Sequence, residues 1–371
     1  ERRTLLRFMD FRLLWHLVFG FCFIFPVMSA SASVANSQAP SMPSLGGTTP
    51  IRCVFSDLDG TLCHFEKETQ KHGVTTIADA QQSTAVVRNK NGEERTCRLL
   101  PTSTMGAGTV SDRTVELIGK LREKGVKFVI ITGARSTTVI ERMPMLPMVD
   151  AVACETGSKV WYPPSSARNP PDANEWELDK EWASNFQHVT GPLETDVPAV
   201  QREGTLWELF REMKALLFDP DSRGYTGCFR VRCKTEEAVG RISEIVKDVR
   251  KLDDLGIGHA MNLGMYDFFP KAAGKGNTVR YLREKWGLKA EECVALFDDD
   301  NDIPMARECG TGYLPSITSE SVRSRLSAEP RWHVAETAGS GVFATEEILE
   351  RLLVQVTAGA SAPTAQPAAV S

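Results

Sequence analysis

The sequence predicts an α/β protein with a Rossmann-like three-layer core, in which helices cover both faces of a parallel sheet, plus an inserted α/β cap domain. Three observations support this fold class. Short apolar runs alternate with segments of helical periodicity, as residues 51–58 and 111–125 illustrate. The runs stay apolar over successive residues, which is typical of strands covered on both faces. Polar residues follow several runs directly, and parallel sheets carry functional residues just beyond the carboxyl ends of their strands.

The core is predicted in two stretches of chain. Its elements, in chain order, are strand 51–58, helix 111–125, strands 126–133 and 150–157, helix 276–287 and the strand that opens segment 292–302. The first three form a β-α-β unit, which fits the parallel sheet. We therefore assign residues 51–155 and 265–352 to the core.

The residues between these stretches, 156–264, are predicted to form the α/β cap. They read as helix, strand, helix and strand at residues 204–218, 227–234, 235–252 and 256–269, the last of which runs into the second core stretch. Because this set interrupts the core pattern and has its own apolar periodicity, we interpret it as an insertion.

A separate β-hairpin is predicted within residues 83–101. Asn91-Gly92 stands between two β-prone runs there, and Asn-Gly is the strongest short hairpin signal. The hairpin would lie beside the rim formed by the strand ends.

The composition limits the class of protein. A chain of 371 residues accommodates two domains, or one domain with a large insertion. With 42% hydrophobic and 25% charged residues it resembles ordinary globular proteins, and the net charge of -5 argues against a nucleic-acid surface. The nine cysteines include no C-x-x-C pair, so neither a zinc site nor a disulfide framework is indicated.

The two ends differ from the middle. Residues 12–32 pass from a basic residue through an apolar stretch to an A-x-A-like site, which predicts a cleaved signal segment, with a membrane anchor as the alternative. We assign residues 1–50 to a targeting segment and disordered linker and residues 353–371 to a disordered tail. The expected destination is an organelle such as a plastid, or the secretory route; a downstream start such as Met28 would leave the protein in the cytoplasm. Stable membrane insertion of the mature domain is not expected.

Carboxylates cluster at two strand ends. Asp57 and Asp59 follow one strand, and a run of acids from Asp298 to Asp302 follows another. Unpaired carboxylates at one site repel each other and raise one pKa, so their coexistence indicates either a cation between them or distinct charge roles for the acids. Magnesium fits best, because it takes hard oxygen ligands from one or two carboxylates. A turn or a solvated acidic loop is the alternative interpretation for each cluster.

Four segments in order, SDLDGTL, ITGAR, GKGN and DDDND, resemble the four motifs of the haloacid dehalogenase superfamily, over residues 51 to about 350. The cap position between the second and third motifs resembles the Cof-like and sucrose-phosphatase-like branches. Residues 131–163 resemble plant and algal members of that branch.

The resemblance implies a role for each motif. Asp57 would be the nucleophile that takes the phosphoryl group, and Asp59 would protonate the leaving oxygen and then activate water. Thr132 would hydrogen-bond the phosphoryl group, and Gly133 would permit close backbone approach. Lys275 would neutralise phosphoryl charge.

Some positions of the resemblance leave alternatives open. Arg135 is a candidate phosphate or substrate contact, although Ala134 is interposed relative to the common T-G-R spacing. Lys271 is the alternative to Lys275. We favour Lys275 because Gly276 adjoins it and a helix is predicted to start there.

The fourth motif implies the metal site. Asp298 would bind Mg²⁺ and Asp302 would support it, with Asn301 between them assigned to phosphate binding. The Asp57 carboxylate and the backbone carbonyl of Asp59 would complete the ligand set. Phe297 stands where the family has glycine.

The implied activity is Mg²⁺-dependent hydrolysis of a sugar phosphate or similar small phosphorylated metabolite through an aspartyl-phosphate. A sugar phosphomutase or a catalytically silent sugar-phosphate-binding protein is the alternative, whereas a dehalogenase and a P-type ATPase are disfavoured. Glu155, Lys159 and Asn262 are candidate substrate contacts, with a place at the cap joint or on the surface as the alternative. The sequence leaves the oligomeric state open.

Overall fold

The structure, a computed structural model, describes residues 49–101, 108–164, 175–233, 235–262 and 264–360. The predicted signal segment and nearly all of the predicted linker lie outside these ranges, as do residues 361–371 of the predicted tail. None of the helices in these ranges combines the length and apolar character needed to cross a membrane.

Seventeen strands occur in the described residues. In chain order they are β1 (Cys53–Ser56), β2 (His64–Phe65), β3 (Thr75–Asp79), β4 (Thr84–Arg88), β5 (Glu94–Leu99), β6 (Gly108–Ser111), β7 (Lys127–Ile131), β8 (Ala151–Cys154), β9 (Lys159–Tyr162), β10 (Glu177–Leu178), β11 (Pro220–Asp221), β12 (Phe229–Arg232), β13 (Ile257–Asn262), β14 (Met265–Pro270), β15 (Cys293–Leu296), β16 (Thr311–Leu314) and β17 (Trp332–Val334).

Twelve α-helices occur in the same residues. They are α1 (Glu66–Thr69), α2 (Asp112–Glu123), α3 (Ser136–Arg142), α4 (Lys180–Ser184), α5 (Gln187–Thr190), α6 (Thr205–Ala215), α7 (Glu236–Lys247), α8 (Val249–Asp254), α9 (Lys275–Lys285), α10 (Ile303–Arg307), α11 (Glu320–Arg325) and α12 (Val342–Ala360).

The main sheet has eight strands in the order β10-β9-β8-β7-β1-β15-β16-β17, and its six strands from β8 to β17 are parallel. Successive residues of β1 face opposite sides. Val54 packs in a core with side chains of α2 and α12, whereas Phe55 packs in another with those of α9 and α10. The predicted three-layer α/β fold is therefore confirmed.

A smaller antiparallel sheet has the order β11-β12-β14-β13. One of its faces is apolar, and it is buried with α6 and α7 through residues such as Phe210, Phe229, Ile242 and Phe268. This unit is the inserted α/β cap that the fold class includes.

The boundaries of core and cap differ from those expected. Strands β9 and β10 lie in the main sheet although they fall within residues 156–264. Strand β14 lies in the cap sheet although it falls within residues 265–352. The cause is that sheet membership depends on strand pairing, which the local apolar pattern does not specify.

Two cap elements and the tail also differ from prediction. Segment 256–269 forms the hairpin β13–β14 rather than one strand, with Gly264 at a φ of +71° in the turn. Segment 235–252 is divided into α7 and α8, since the Asp248 side chain caps α8 by accepting from Lys251 N. Residues 353–360 continue α12 because Leu353 and Val356 pack against the core.

A third sheet, β2-β6-β5-β4-β3, contains the hairpin expected within residues 83–101. Gly92 adopts a φ of +83° in its turn. The buried Glu346 of α12 joins this sheet to the core, because its carboxylate accepts from Arg95 Nε at 2.6 Å and from Ser111 Oγ at 2.6 Å.

His64 supplies a pH-dependent contact between this sheet and the core. Its Nε2 lies 2.8 Å from Thr345 Oγ1, and the Thr345 hydroxyl donates to Thr61 O, so Nε2 carries the proton. Burial lowers the pKa of His64 to about 4.

Stability should fall on acidification because of this histidine. The unfolded chain takes up the proton near pH 6.5 but the folded protein only near pH 4, so the contribution is complete above pH 6.5 and is lost as the pH falls towards 4. We expect this loss to be roughly 3 kcal/mol in wild type and absent in His64→Gln. Urea unfolding between pH 7.5 and 4 measures the difference. His72→Gln, at an exposed position, is the control, and equal pH dependence in wild type and His64→Gln would contradict the assignment.

Candidate active site

Three adjacent strands of the main sheet bring the predicted site residues together. Asp57 follows β1, Thr132 follows β7, and Asp298 lies two residues beyond β15. Because the strands are parallel neighbours, these residues share one rim of the sheet. A cleft of about 800 Å³ opens there between the rim and the cap. Except for Asp302, its lining includes the residues predicted for catalysis, phosphate binding and metal binding: Asp57, Asp59, Thr132, Gly133, Arg135, Lys275, Asp298 and Asn301.

Lys275 is the central cation of the rim. It stands at the first position of α9, is 2% exposed, and donates from Nζ to Asp57 Oδ1 at 2.6 Å and to Asp302 Oδ1 at 2.5 Å. Burial opposes its charge, but the two carboxylates outweigh this effect and raise its pKa. Lys271, its rival in the sequence, is exposed and pairs with Asp253 instead.

Asp57, Asp298 and Asp302 form a buried acidic triad, in which each offers a carboxylate oxygen within 4.8 Å of the others. Burial, with repulsion from Asp302, raises the pKa of Asp57 to about 8 although Lys275 opposes the shift. Burial and the other two carboxylates also raise the pKa of Asp298 well above its ordinary value. One lysine does not balance three carboxylates, so the oxygen donors and the excess negative charge fit a hard divalent cation.

Two small residues after Asp59 shape this triad. Thr61 Oγ1 donates to Asp298 Oδ1 at 3.0 Å, which orients that carboxylate. Gly60 has a φ of +90° and lies directly against the Asp298 side chain, so a Cβ would displace the carboxylate. The Gly-Thr pair is thus explained by contacts within the site.

The Asp59 side chain lies outside the triad. It accepts from Arg142 NH1 at 2.6 Å, and Arg142, at the end of α3, is 2% exposed with its guanidinium over the Phe65 ring. The predicted ligand role of Asp59 concerned its backbone carbonyl, which this pair leaves free. Sequence reasoning missed Arg142, since nothing in its local pattern separates it from a surface arginine at the end of a helix.

The residues of the second motif, Thr132, Gly133 and Arg135, make different kinds of contact. Thr132 is buried, and its Oγ1 accepts from Ala134 N at 3.0 Å. A Cβ at Gly133 would lie 2.5 Å from Asn262 Nδ2, so glycine permits the cap to approach the rim. Arg135 lines the cleft, but its guanidinium donates to Asp221 Oδ2 of β11 at 2.6 Å. Arg135 therefore bridges core and cap, and its phosphate or substrate contact stays a prediction.

Glu155 joins the core to the cap. Its buried carboxylate accepts from Ser136 Oγ at 2.7 Å and from the backbone N–H groups of Thr226 and Gly227 at 2.8 and 2.6 Å. These bonds hold Glu155 at a φ of +52°, a conformation costly for a residue with a side chain. Lys159 lies 3.6 Å from the same carboxylate. Both residues therefore occupy the cap joint, the alternative considered for them.

Asn262 is the candidate substrate contact that lines the cleft. It lies at the end of β13 and donates from Nδ2 to Asp267 Oδ2 at 3.0 Å. Its amide therefore faces the rim from the cap.

The family model described as haloacid dehalogenase-like hydrolase matches residues 220–325. This segment carries Lys275, Asp298 and Asp302, and the sheet order and cap complete the agreement. This part of the chain thus matches the haloacid dehalogenase-like hydrolase family, whose four motifs the sequence resembles. The match includes the cap sheet and the core elements from α9 to α11.

Curated relatives of this chain are phosphatases by name. A phosphoglycolate phosphatase from Methanopyrus kandleri is 31% identical over 94 residues, which are 24% of this chain and 40% of that protein. Another, from Archaeoglobus fulgidus, is 23% identical over 220 residues, which are 58% of this chain and 83% of that protein. The chain thus spans less than half the length of the first relative.

A solved structure has the same fold. The sucrose-phosphatase from Synechocystis sp. PCC6803, solved with sucrose and phosphate, superposes with a TM-score of 0.51 over 81% of this chain and 98% of that one. The two are 14% identical, so the similarity concerns the fold alone.

Proposed function

We propose that this protein is a phosphomonoester hydrolase of the haloacid dehalogenase superfamily, with Asp57 as its nucleophile. One observation carries the proposal: a buried lysine bonds Asp57 and Asp302 at once, beside Asp298, in a cleft that can admit a small metabolite. A carboxylate nucleophile next to a fixed cation suits the transfer of a dianionic phosphoryl group.

The reaction would have two steps. A carboxylate oxygen of Asp57 attacks phosphorus, the bond from phosphorus to the ester oxygen breaks, and Asp59 gives its proton to the departing oxygen. Water then attacks the phosphorus of the aspartyl-phosphate while Asp59 takes back a proton, so that phosphate leaves and Asp57 is regenerated. Lys275 would balance phosphoryl charge throughout, and Thr132 would hydrogen-bond a phosphoryl oxygen.

We propose Mg²⁺ as the cation of the acidic triad. Asp57, Asp298 and the backbone carbonyl of Asp59 would hold it, and Asp302 would support the site through Lys275. When bound, Mg²⁺ would act as a Lewis acid and template for the phosphoryl oxygens. The excess of buried carboxylates over cations supports this assignment.

The substrate is proposed to be a sugar phosphate or a similar small phosphorylated metabolite. A volume of about 800 Å³ is within the range of small-molecule sites. The names of the relatives, which refer to phosphoglycolate and sucrose, point to compounds of this size. The cap would exclude water from the bound ester.

Phosphate release from a panel of sugar and carboxylic-acid phosphates tests the proposal. We expect turnover with Mg²⁺ and none with chelator. Isomerised sugar phosphate without released phosphate would favour the mutase instead. Binding without any conversion would favour the silent binding protein.

Arg142 is expected to position Asp59. Removing its guanidinium leaves the Asp59 carboxylate without its hydrogen-bond donor, so Arg142→Met should lower kcat by about 10- to 100-fold with a smaller change in KM. Arg142→Lys should recover part of kcat, because the ammonium restores one charged donor. Steady-state kinetics on the best substrate of the panel measure the effect.

Arg122 provides the matched control, since it pairs with Asp150 at 2.9 Å away from the residues that line the cleft. Arg122→Met should leave kcat unchanged. An Arg142→Met enzyme with wild-type kcat would contradict the positioning role.

A further inference from the structure

We infer that the substrate carries a second anionic group, a carboxylate or another phosphate, which the cap binds through Arg230 and Arg232. The inference rests on the proposed phosphomonoester hydrolysis and specifies its substrate class. Both arginines belong to β12 and line the same cleft as Asp57 and Asp298.

The cap sheet presents a polar face to the cleft. Arg230 and Arg232 are two residues apart on one strand, so they share a face. On the neighbouring strand β14, Asp267 stands opposite Arg230 and Met265 opposite Arg232. The intervening Val231 is buried in the apolar core of the cap. The polar face is therefore distinct from the face that stabilises the cap.

Arg230 is built into this face, and only its NH2 group donates to described residues. The residue is 9% exposed, its NH2 group donates to Asp267 Oδ2 at 2.9 Å, and its guanidinium lies over the Tyr225 ring. Its buried Nε has no hydrogen-bond partner among the described residues. Arg230 lines the cleft, and its NH1 group has no hydrogen bond among the described residues, so a ligand oxygen can accept from the guanidinium there.

Arg232 supplies the net positive charge of the cap wall. Its side chain is exposed to the cleft, and within the described ranges it has no ion pair or hydrogen bond. Arg230 is neutralised by Asp267, so Arg232 is the cation on this wall that remains available to an anion.

The charges of the cleft are separated between its walls. Its carboxylates, Asp57, Asp59, Glu68, Glu141, Asp298 and Asp299, all belong to the core, and the cap contributes none among the described lining residues. The core also has its own cations, since Lys275 pairs with Asp57 and Arg142 with Asp59. With the remaining charge of the acidic triad assigned to Mg²⁺, a cationic cap wall is not needed to balance the core. It suits a substrate that is anionic at both ends.

Two matched pairs of phosphomonoesters test the inference on the full chain with Mg²⁺. Phosphoglycolate against ethyl phosphate tests a carboxylate, and fructose 1,6-bisphosphate against fructose 1-phosphate tests a second phosphate. We expect the wild type to prefer the doubly anionic member of at least one pair by about 10-fold or more in kcat/KM, as charged hydrogen bonds of this kind warrant. The pair that shows the preference identifies the group.

Variants assign the preference to the cap wall. Arg232→Met should lower kcat/KM for the preferred member by about 10-fold and leave its singly anionic partner within about two-fold, whereas Arg232→Lys should keep most of the preference. Arg250→Met, at an exposed arginine of α8 outside the cleft lining, should change neither value. No preference in the wild type, or an equal preference in Arg232→Met, would overturn the inference.

If the protein does not hydrolyse phosphomonoesters, the measurements give a different pattern of results. If the wild type releases no phosphate from any compound, hydrolysis is wrong, and calorimetric dissociation constants for the same pairs decide the anion site. Tighter binding of the doubly anionic member that is lost in Arg232→Met supports the site without hydrolysis. Equal binding of both members rejects it.

Discussion

Asp57→Asn is expected to reduce phosphate release by about 10⁴-fold or more while the protein stays folded. An amide oxygen is a far weaker nucleophile than a carboxylate, so the aspartyl-phosphate does not form. In the absence of metal the same change should raise the melting temperature. Burial and repulsion from Asp302 raise the pKa of Asp57 to about 8, which means that the folded state disfavours this carboxylate. Asparagine removes the charge and keeps an acceptor for Lys275.

Initial rates with Mg²⁺ and thermal unfolding with chelator measure the two effects. We expect the melting temperature of Asp57→Asn to rise by about 2–4 °C for each kcal/mol of repulsion that the substitution removes. Asp253→Asn, at an exposed acid paired with Lys271, is the control and should change neither quantity appreciably. An Asp57→Asn protein with substantial turnover, or one that melts well below wild type, would contradict this account of the site.

Lys275→Met is expected to have the opposite effect on stability. Methionine approximates the length of the side chain but leaves Asp57 and Asp302 buried without their shared cation. Breaking a buried ion pair on one side costs about 3–5 kcal/mol, so the free energy of unfolding should fall by that order. Phosphate release should also be lost, because phosphoryl charge is no longer neutralised. Urea unfolding at pH 8 with chelator measures the change in stability.

The neighbouring Lys271 gives a control four residues away, since it is exposed and pairs with Asp253. Lys271→Met should change stability by about 1 kcal/mol or less. In the double variant Asp57→Asn, Lys275→Met, part of the lost stability should return because one carboxylate is gone. A Lys275→Met protein as stable as wild type would show that Lys275 does not balance the triad.

The parts of the site nearest to strand ends were predictable from sequence. Asp57, Thr132 and Asp298 each follow an apolar run, and parallel strands bring such positions to one rim. Lys275 was predictable because Gly276 follows it and a helix starts there. The three-layer core followed from the same alternation of runs and helices.

Contacts that depend on pairing between distant elements were not predictable. Arg142 reaches Asp59 because α3 ends beside it, and Arg230 meets Asp267 because β12 and β14 pair in that register. Local apolar patterns contain no information on either relationship. The same reason explains the misplaced boundary at β14 and the hairpin taken for a single strand.

The most direct test of the central claim is to identify the residue that carries the phosphoryl group during turnover. Enzyme with Mg²⁺ and saturating substrate is quenched in acid within a turnover, reduced with borohydride, digested and examined by peptide mass spectrometry. An aspartyl-phosphate is reduced to homoserine, so the account predicts homoserine at position 57, absent without substrate and in Asp57→Asn. Homoserine at the position of another carboxylate would contradict it. An unmodified Asp57 in enzyme that has already released the alcohol product of its first turnover would also contradict it.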